Sequence, residues 1–276
     1  MVRVRLKALI KRLTPPLALD IYRTARDGGS FGPIWAGVYP DHRAVPVKGL
    51  GHDDERWVSQ CEELAHILLS TARNGATIPV NVRGRHVLLP LVAASVCRHD
   101  GGRVRILDFG GSMGTDYIHL SSSLSIPCTV EYHVVEGKKI CDVAGDIFDD
   151  DPRIHFSSSL PLEPEQFDVV LVGSTLQYVE DYRGLLGRLC AYGAEYVLLS
   201  NLPAGDIATT YATGQRNLNG SVVAAWFFRV AEVVDAMAQY GYSLVFKAAS
   251  EEEWDQSNFP EAYRIGRPCH LLFGRR

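Results

Sequence analysis

Long apolar runs are missing from this sequence. No run approaches the ~18 residues that a bilayer-spanning helix needs, and charged residues alternate with apolar ones from the start of the chain. That opening stretch therefore lacks the apolar centre of a signal peptide. From these two absences we predict a cytoplasmic protein.

Clustered metal ligands and an excess of basic charge are also missing. The six cysteines are scattered, with no C-x-x-C pair and no His-x-His beside them. Disulfide frameworks and zinc sites need denser patterns, so we expect reduced, packed cysteines and no metal site. The formal net charge of -4 gives no reason to expect nucleic acid as a partner.

Residues 1–26 depart from this charge balance, because they hold seven Lys or Arg and a single acid. Apolar and basic side chains follow a helical spacing over 2–13, and Pro15 and Pro16 end that helix. Two interpretations stay open. The helix lies on an anionic membrane surface through residues 1–14, or it packs on the folded domain or on a second subunit.

The residue pattern divides the chain beyond residue 26 into two parts. Residues 27–102 are predicted to be a helical and irregular extension, acting as a cap or lid. Gly, Pro and aromatic residues make 27–54 irregular, and apolar spacing predicts helices over 55–73 and 86–98. Residues 103–276 then alternate strands with helices, which is typical of a doubly wound sheet.

Seven strands are predicted in residues 103–276. An irregular, polar stretch over 201–220 and a long helix over 222–240 are predicted before the last two strands. The strand at 167–172 is apolar enough to be buried on both faces, as parallel strands are. The predicted fold class is therefore α/β: a doubly wound, mostly parallel, seven-stranded Rossmann-like sheet that closes on a hairpin-like pair.

Small and polar residues end four of these strands, at the edge where ligands bind such sheets. The first strand runs into Asp108-Phe109-Gly110-Gly111-Ser112-Met113-Gly114. Small residues there let a cofactor touch the backbone, and the next helix directs its positive end at a carboxylate or phosphate. The second strand ends on Glu136, whose carboxylate can accept both hydroxyl hydrogens of a ribose.

The third and fourth strand ends offer hydroxyl and amide groups. Ser158 lies in a run of three serines where an adenine amino group can bind. The loop after the fourth strand carries Ser174, Gln177 and Tyr178.

The spacing of the turn discriminates between ligands. A dinucleotide fingerprint needs G-x-G-x-x-G, and counting from Gly110 this chain has Ser112 and Thr115 at the second and third glycine places. A phosphate-binding loop is excluded because no G-K-[ST] follows.

These motifs resemble the class I methyltransferase core over residues 103–202. The first motif of that core matches 107–114, Val134-Val135-Glu136 matches the second, and Phe167-Asp168-Val169-Val170 matches the fourth. Ser112 departs from the usual middle glycine. The whole chain further resembles a family of methyltransferases associated with bacterial surface-polysaccharide loci, through Trp35, Gly37 and Tyr39 and through Gln215 and Asn217.

The resemblance implies S-adenosylmethionine as cofactor, S-adenosylhomocysteine as product, and O-methylation of a sugar, a glycan or a small molecule, with nitrogen as the alternative acceptor atom. The implied cofactor contacts are Asp108, Phe109, Gly110, Gly111, Ser112, Gly114, Glu136, Ser158 and Ser174. The implied catalytic pair is Gln177 and Tyr178, and the implied substrate contacts are Tyr39, Asn201, Gln215 and Asn217.

Two other functions stay open from the sequence. One is a degenerate methyltransferase fold that acts as a binding or scaffold module. The other is an oxidoreductase that uses a nicotinamide cofactor, which the spacing of the turn disfavours.

Overall fold

The computed structural model of this chain describes residues 33–49, 51–75, 78, 88–99, 102–124, 126–162, 166–217 and 220–276. The predicted basic helix within residues 1–26 lies outside the described residues. The helices are α1 Glu55–Arg73, α2 Leu88–His99, α3 Thr115–Ser123, α4 Lys138–Ile147, α5 Tyr182–Ala191 and α6 Val230–Gln239.

The strands form two sheets. They are β1 Trp35–Tyr39, β2 Arg103–Phe109, β3 Thr129–Val135, β4 Ile154–Ser157, β5 Val169–Gly173, β6 Tyr196–Leu202, β7 Ala204–Gly205, β8 Tyr211–Arg216, β9 Val222–Arg229, β10 Tyr242–Ala249 and β11 Cys269–Arg275.

The main sheet has seven strands in the order β10-β11-β6-β5-β2-β3-β4. From β4 to β6 the neighbours are parallel. Only β11 runs against both of its neighbours, β6 and β10. The predicted fold class, including the closing hairpin-like pair, is confirmed.

Alternating side chains of the parallel strands pack into two hydrophobic cores, one on each face of the sheet. Val170 and Val172 of β5 pack with Leu107 in one core. Val169 and Leu171 pack in the other, together with α1 and α2. Since both faces are covered, β5 is apolar throughout, which is why its sequence predicted a buried strand.

Helix α1 packs directly against the main domain. Asp54 caps its first turn by accepting a hydrogen bond from the amide of Arg56. Cys61, Ala65 and Leu68 are buried at the apolar spacing that predicted this helix, whereas Trp57 is 38% exposed. None of the described helices is long and apolar enough to cross a bilayer.

A second, smaller sheet has the order β1-β8-β9-β7, and it corrects three expectations. The segments 27–54 and 201–220, predicted to be irregular, supply β1, β7 and β8. The helix predicted over 222–240 begins only at Val230, because residues 222–229 form β9. There Ala225 and Phe227 face one side and Ala224 and Trp226 the other, so the period is that of a strand.

A bulge in β1 explains the spacing of Trp35, Gly37 and Tyr39. The register of β1 against β8 shifts by one residue between Ala36 and Tyr39. A one-residue shift reverses the face of every later side chain. Trp35 therefore enters the aromatic core of the small sheet, and Tyr39 packs on the opposite side. Gly37 has φ +85°, and an added Cβ would lie 2.4 Å from the Tyr39 ring.

The expectation of reduced cysteines is wrong at one pair. Cys97 at the end of α2 is bonded to Cys128 just before β3, with a Cα–Cα distance of 6.0 Å. The spacing of 31 residues matches no short motif, so only the fold brings these two thiols together. Cys61, Cys141, Cys190 and Cys269 are free.

We expect the substitution Asp151→Asn to lower the free energy of unfolding by about 1–2 kcal/mol at pH 7. Asp151 accepts hydrogen bonds from Arg153 and, at 2.6 Å, from the Tyr117 hydroxyl of α3. The Arg153 guanidinium, assisted by Tyr117, lowers the pKa of Asp151 to about 2, against the effect of burial.

Because folding lowers the pKa of this carboxyl group, its contacts stabilise the fold fully above the unfolded-state pKa near 4. That stabilisation is lost as the pH falls through about 2. The difference between Asp151→Asn and the wild type should therefore close between pH 4 and 2 in urea titrations. A constant difference over that range would contradict this assignment. Asp150→Asn, whose side chain is 66% exposed, serves as the control.

Candidate functional site

The glycine-rich turn follows β2 and begins at the buried carboxyl group of Asp108. Asp108 is fully buried, and its Oδ2 accepts a hydrogen bond of 2.8 Å from the Tyr132 hydroxyl of β3. The amide of Gly110 donates to the carbonyl of Val135 at 2.8 Å. These two bonds hold the turn against the end of β3.

The glycines of the turn are required by the protein's own packing. A Cβ on Gly110 would lie 2.2 Å from Thr175 Oγ1, and one on Gly111 would lie 2.2 Å from Asp108 Oδ2. Gly114 has φ +68°, and its Cβ would meet Ile154. At Gly110 the side chain of Thr175 occupies the space that a Cβ would need, so packing within the protein requires glycine there independently of any cofactor.

Ser112 takes the place of a glycine in conformation as well as in sequence. Its φ is +51°, which is the left-handed region that glycine favours. Two other non-glycine residues among those described share this region, Ser174 with φ +52° and Asn201 with φ +50°. All three lie at the carboxyl ends of strands in the main sheet, and such outliers concentrate at functional sites.

Acidic side chains surround the turn. Burial raises the pKa of Asp108 well above its usual value, and the carboxylates of Asp116 and Glu136 raise it further, against the Tyr132 hydrogen bond. Asp116 lies in the first turn of α3, and a Cβ on Gly173 would be 3.8 Å from its Oδ2. The turn is therefore suited to a positively charged ligand.

Asp116 was missed by the sequence prediction. The sequence feature that could have identified Asp116 is its position as the first acidic residue of the helix that follows the turn.

Glu136 lies at the end of β3, as predicted. Its Oε2 accepts a hydrogen bond of 2.6 Å from the amide of Gly137, and its own amide donates to the carbonyl of Ser157 at 3.0 Å. The predicted contact Ser158 follows at the end of β4 and is exposed. Glu136 and Ser158 thus lie on the same edge of the sheet as the turn.

Helix α1 covers the turn through Cys61, a second contribution that the sequence prediction missed. Burial raises the pKa of the Cys61 thiol to about 11, while a hydrogen bond with Ser112 lowers it and the Glu136 carboxylate raises it. Cys61 packs in one cluster with Met113 of the turn. The helical spacing of α1 predicted the buried face but not what it covers.

The ends of β5 and β6 are joined through Ser174. Asn201 Nδ2 donates to Ser174 Oγ at 3.0 Å, and Gln177 Nε2 donates to the Ser174 carbonyl at 2.7 Å. The side chains of Gln177 and Asn201 are buried, with 4% and 5% exposure. Three residues predicted for the site, from two separate segments, are therefore in direct contact.

The small sheet lies over these strand ends. The Tyr178 hydroxyl donates to Gln215 Oε1 at 2.6 Å, and the indole of Trp226 donates to the carbonyl of Val179 at 3.1 Å. The ring of His52 lies 4.5 Å from that of Tyr178. Tyr178 and Gln215, predicted in different roles, are thus hydrogen-bonded partners.

Three further predicted residues have local structural partners. Phe109 packs against the main core, and Tyr39 packs on the face of the small sheet opposite Trp35. Asn217 closes the β8–β9 hairpin, because its amide donates to the carbonyl of Ser221 at 2.9 Å.

The main sheet is the seven-stranded, mostly parallel, doubly wound sheet that the sequence predicted. Solved structures with a similar fold include the CcbJ methyltransferase from Streptomyces caelestis, at 16% identity and TM-score 0.46, covering 70% of this chain and 89% of that one. Another is an amino pentose methyltransferase from Micromonospora echinaspora with bound S-adenosylmethionine, at 16% identity and TM-score 0.45, covering 70% and 94%.

A third is magnesium protoporphyrin IX methyltransferase from Synechocystis with bound S-adenosylhomocysteine, at 13% identity and TM-score 0.44, covering 83% of this chain and 90% of that one. No protein-family model matches the sequence, and no curated protein matches it.

Proposed function

We propose that this protein is an S-adenosylmethionine-dependent methyltransferase that methylates an oxygen atom of a sugar, a glycan or another small molecule. The observation that carries the proposal is that two carboxylates, Asp116 and Glu136, lie beside the glycine-rich turn, close enough to raise the pKa of the buried Asp108. S-adenosylmethionine carries a sulfonium and an ammonium group, both of which such a turn attracts. The pyrophosphate of a nicotinamide cofactor would be repelled there, since like charges destabilise each other.

The residues of the turn and of the neighbouring strand ends would hold this cofactor. Glu136 would accept hydrogen bonds from the ribose hydroxyls, and Ser158 would lie beside the adenine. The buried Asp108 braces the turn through Tyr132, and Asp116 faces the end of β5. S-adenosylmethionine supplies the electrophilic methyl group when bound.

Catalysis rests on alignment of the acceptor oxygen with the methyl group, because in-line displacement gains much of its rate from orientation. Gln177 and Tyr178 lie between the turn and the small sheet and would hold the acceptor there. A hydroxyl acceptor must also release a proton. Tyr178 Oη, held 2.6 Å from Gln215 Oε1 by its own hydrogen bond, would orient the acceptor hydroxyl. The proton of that hydroxyl passes to solvent as S-adenosylhomocysteine forms.

The alternative of a degenerate scaffold fits this site less well. Ser112, Ser174 and Asn201 all keep a left-handed backbone conformation. Such conformations cost about 1–3 kcal/mol each, and a scaffold that binds no ligand has no need of them. The resemblance to polysaccharide-locus proteins extends the proposal to bacterial glycan acceptors, and the proposed membrane contact through residues 1–14 lies outside the described residues.

Calorimetry with S-adenosylhomocysteine and NADH tests the proposal. We expect S-adenosylhomocysteine to bind with a micromolar Kd and NADH not to bind. Glu136→Ala should weaken the binding of S-adenosylhomocysteine by about 1.5–3 kcal/mol, which raises its Kd about 10- to 150-fold. This is the scale of hydrogen bonds to a charged group.

Glu131→Ala is the matched control, because Glu131 lies on the same strand but pairs with Arg103 and His133 at the opposite end. Wild-type affinity in a folded Glu136→Ala variant would remove Glu136 from the site. Failure of the wild type to bind S-adenosylhomocysteine would overturn the proposal itself.

A further inference from the structure

Four buried polar atoms without a hydrogen-bond partner among the described residues belong to the strand ends and to one side of the small sheet. They are Trp35 Nε1, Gln177 Oε1, Asn201 Oδ1 and Thr213 Oγ1. Their side chains are at most 5% exposed. A fifth such atom, His42 Nε2, lies on the other side of the small sheet, against Trp226. Buried polar groups are nearly always hydrogen-bonded, so four exceptions in one region need an explanation.

The fold brings these atoms together from two sides. Gln177 and Asn201 are both tied to Ser174 through their NH₂ groups, which leaves their carbonyl oxygens unpaired. Thr213 and Gln215 are two apart on β8 and so face the same side of the small sheet.

Trp35 shares that side of the small sheet. It is the register partner of Gln215, and Gln215 accepts the hydrogen bond of Tyr178. Tyr178 in turn packs against the cluster that holds Trp35. The hydrogen bond between Tyr178 and Gln215 therefore joins the two groups of unpaired atoms.

The four atoms define a chemistry by what each can accept or donate. The carbonyl oxygens of Gln177 and Asn201 only accept hydrogen bonds, the indole N–H of Trp35 only donates, and the hydroxyl of Thr213 does either. None of these groups is charged. A carboxylate or phosphate has only acceptor atoms, so it cannot donate a hydrogen bond to either carbonyl oxygen. Hydroxyl groups both donate and accept, so they can pair with all four atoms.

We infer that these four atoms form the acceptor site and select an uncharged, polyhydroxylated acceptor, the chemistry of a neutral sugar. The inference rests on the proposed function, and it narrows that function to one class of substrate. The four side chains set the specificity of the site by pairing with acceptor hydroxyls that flank the methylated oxygen.

Unfolding of the ligand-free protein tests the first part of the inference. Thr213→Val keeps the shape of the side chain and removes its unpaired hydroxyl, so we expect Tm to rise by about 2–4 °C. Thr175→Val is the matched control, because Thr175 Oγ1 is bonded to the carbonyls of Gly110 and Gly173 at 3.2 and 2.9 Å. Its Tm should fall. An unchanged or lowered Tm in Thr213→Val would overturn the inference.

The class of substrate is tested on protein saturated with S-adenosylhomocysteine. Methyl β-D-glucopyranoside and its carboxylate counterpart, methyl β-D-glucuronide, serve as probes in a thermal shift titration. We expect the neutral glycoside to raise Tm and the glucuronide to do so at least tenfold less effectively. In Gln177→Met, which keeps the volume and removes the carbonyl oxygen, the neutral probe should also bind at least tenfold more weakly.

Equal response to the two probes, no response to either, or an unchanged response in Gln177→Met would overturn the inference. Saturation with S-adenosylhomocysteine is verified first by calorimetry. If that step fails, the proposed function fails; if it succeeds and the sugar probes fail, only the assignment of a neutral polyhydroxylated acceptor is lost.

Discussion

Gly110→Ala is expected to lower the free energy of unfolding by about 2–5 kcal/mol, even without any ligand. Gly110 has φ +76°, and the added Cβ would lie 2.2 Å from Thr175 Oγ1 and 2.6 Å from Thr175 Cβ. Thr175 is fixed by its own hydrogen bonds to the backbone, so it cannot move aside cheaply. Backbone strain and overpacking therefore add at one position.

Urea unfolding followed by circular dichroism measures this effect. Gly145→Ala is the control, because Gly145 lies inside α4 with nothing within 4 Å of an added Cβ. It should stabilise the fold by about 0.5–1 kcal/mol, the usual gain of alanine over glycine in a helix. If Gly110→Ala unfolds like the wild type and loses only ligand binding, the glycine serves the cofactor and not the packing of Thr175.

Breaking the Cys97–Cys128 bond is expected to cost about 3.7 kcal/mol of stability, from the loop-closure relation for 31 residues. The bond links the end of α2 to the start of β3, so its loss frees two elements of the same core in the unfolded chain. Unfolding with and without a reducing agent measures the change. The double variant Cys97→Ala and Cys128→Ala should show no response to the reducing agent.

Thiol titration of the denatured protein checks the bond independently. Four thiols are expected before reduction, those of Cys61, Cys141, Cys190 and Cys269. Six thiols would contradict the bond. Disulfides are rare in reducing compartments, so the count of four would also contradict the cytoplasmic location predicted from the sequence.

The main sheet could be predicted from the sequence because its strands are buried on both faces. Such strands appear as apolar runs that end in small or acidic residues, and Asp108 and Glu136 mark two of those ends directly. The prediction failed over 222–229, where an apolar strand runs without a break into helix α6. A mixture of Val, Ala and Phe fits either period over so short a stretch.

The candidate site could be predicted only where its residues adjoin a recognisable motif. Cys61 contacts the turn from 51 residues before Ser112, and nothing in the sequence links the two. The pairing of β1 with β8 is equally hidden, since it joins Trp35 to Gln215. Contacts of this kind depend on the assembled fold, and local patterns carry no trace of them.

The β1–β8 pairing has a consequence for synthesis on the ribosome. Trp35 and its partner Gln215 are about 180 residues apart, so at 5–20 residues per second β1 waits roughly 10–35 s for the strand that it pairs with. Strands β2 to β6 follow one another within residues 103–202 and need no such wait. During translation the glycine-rich turn therefore gains its parallel neighbours first. The small sheet over the ends of β5 and β6 closes later, and β11 completes the main sheet last.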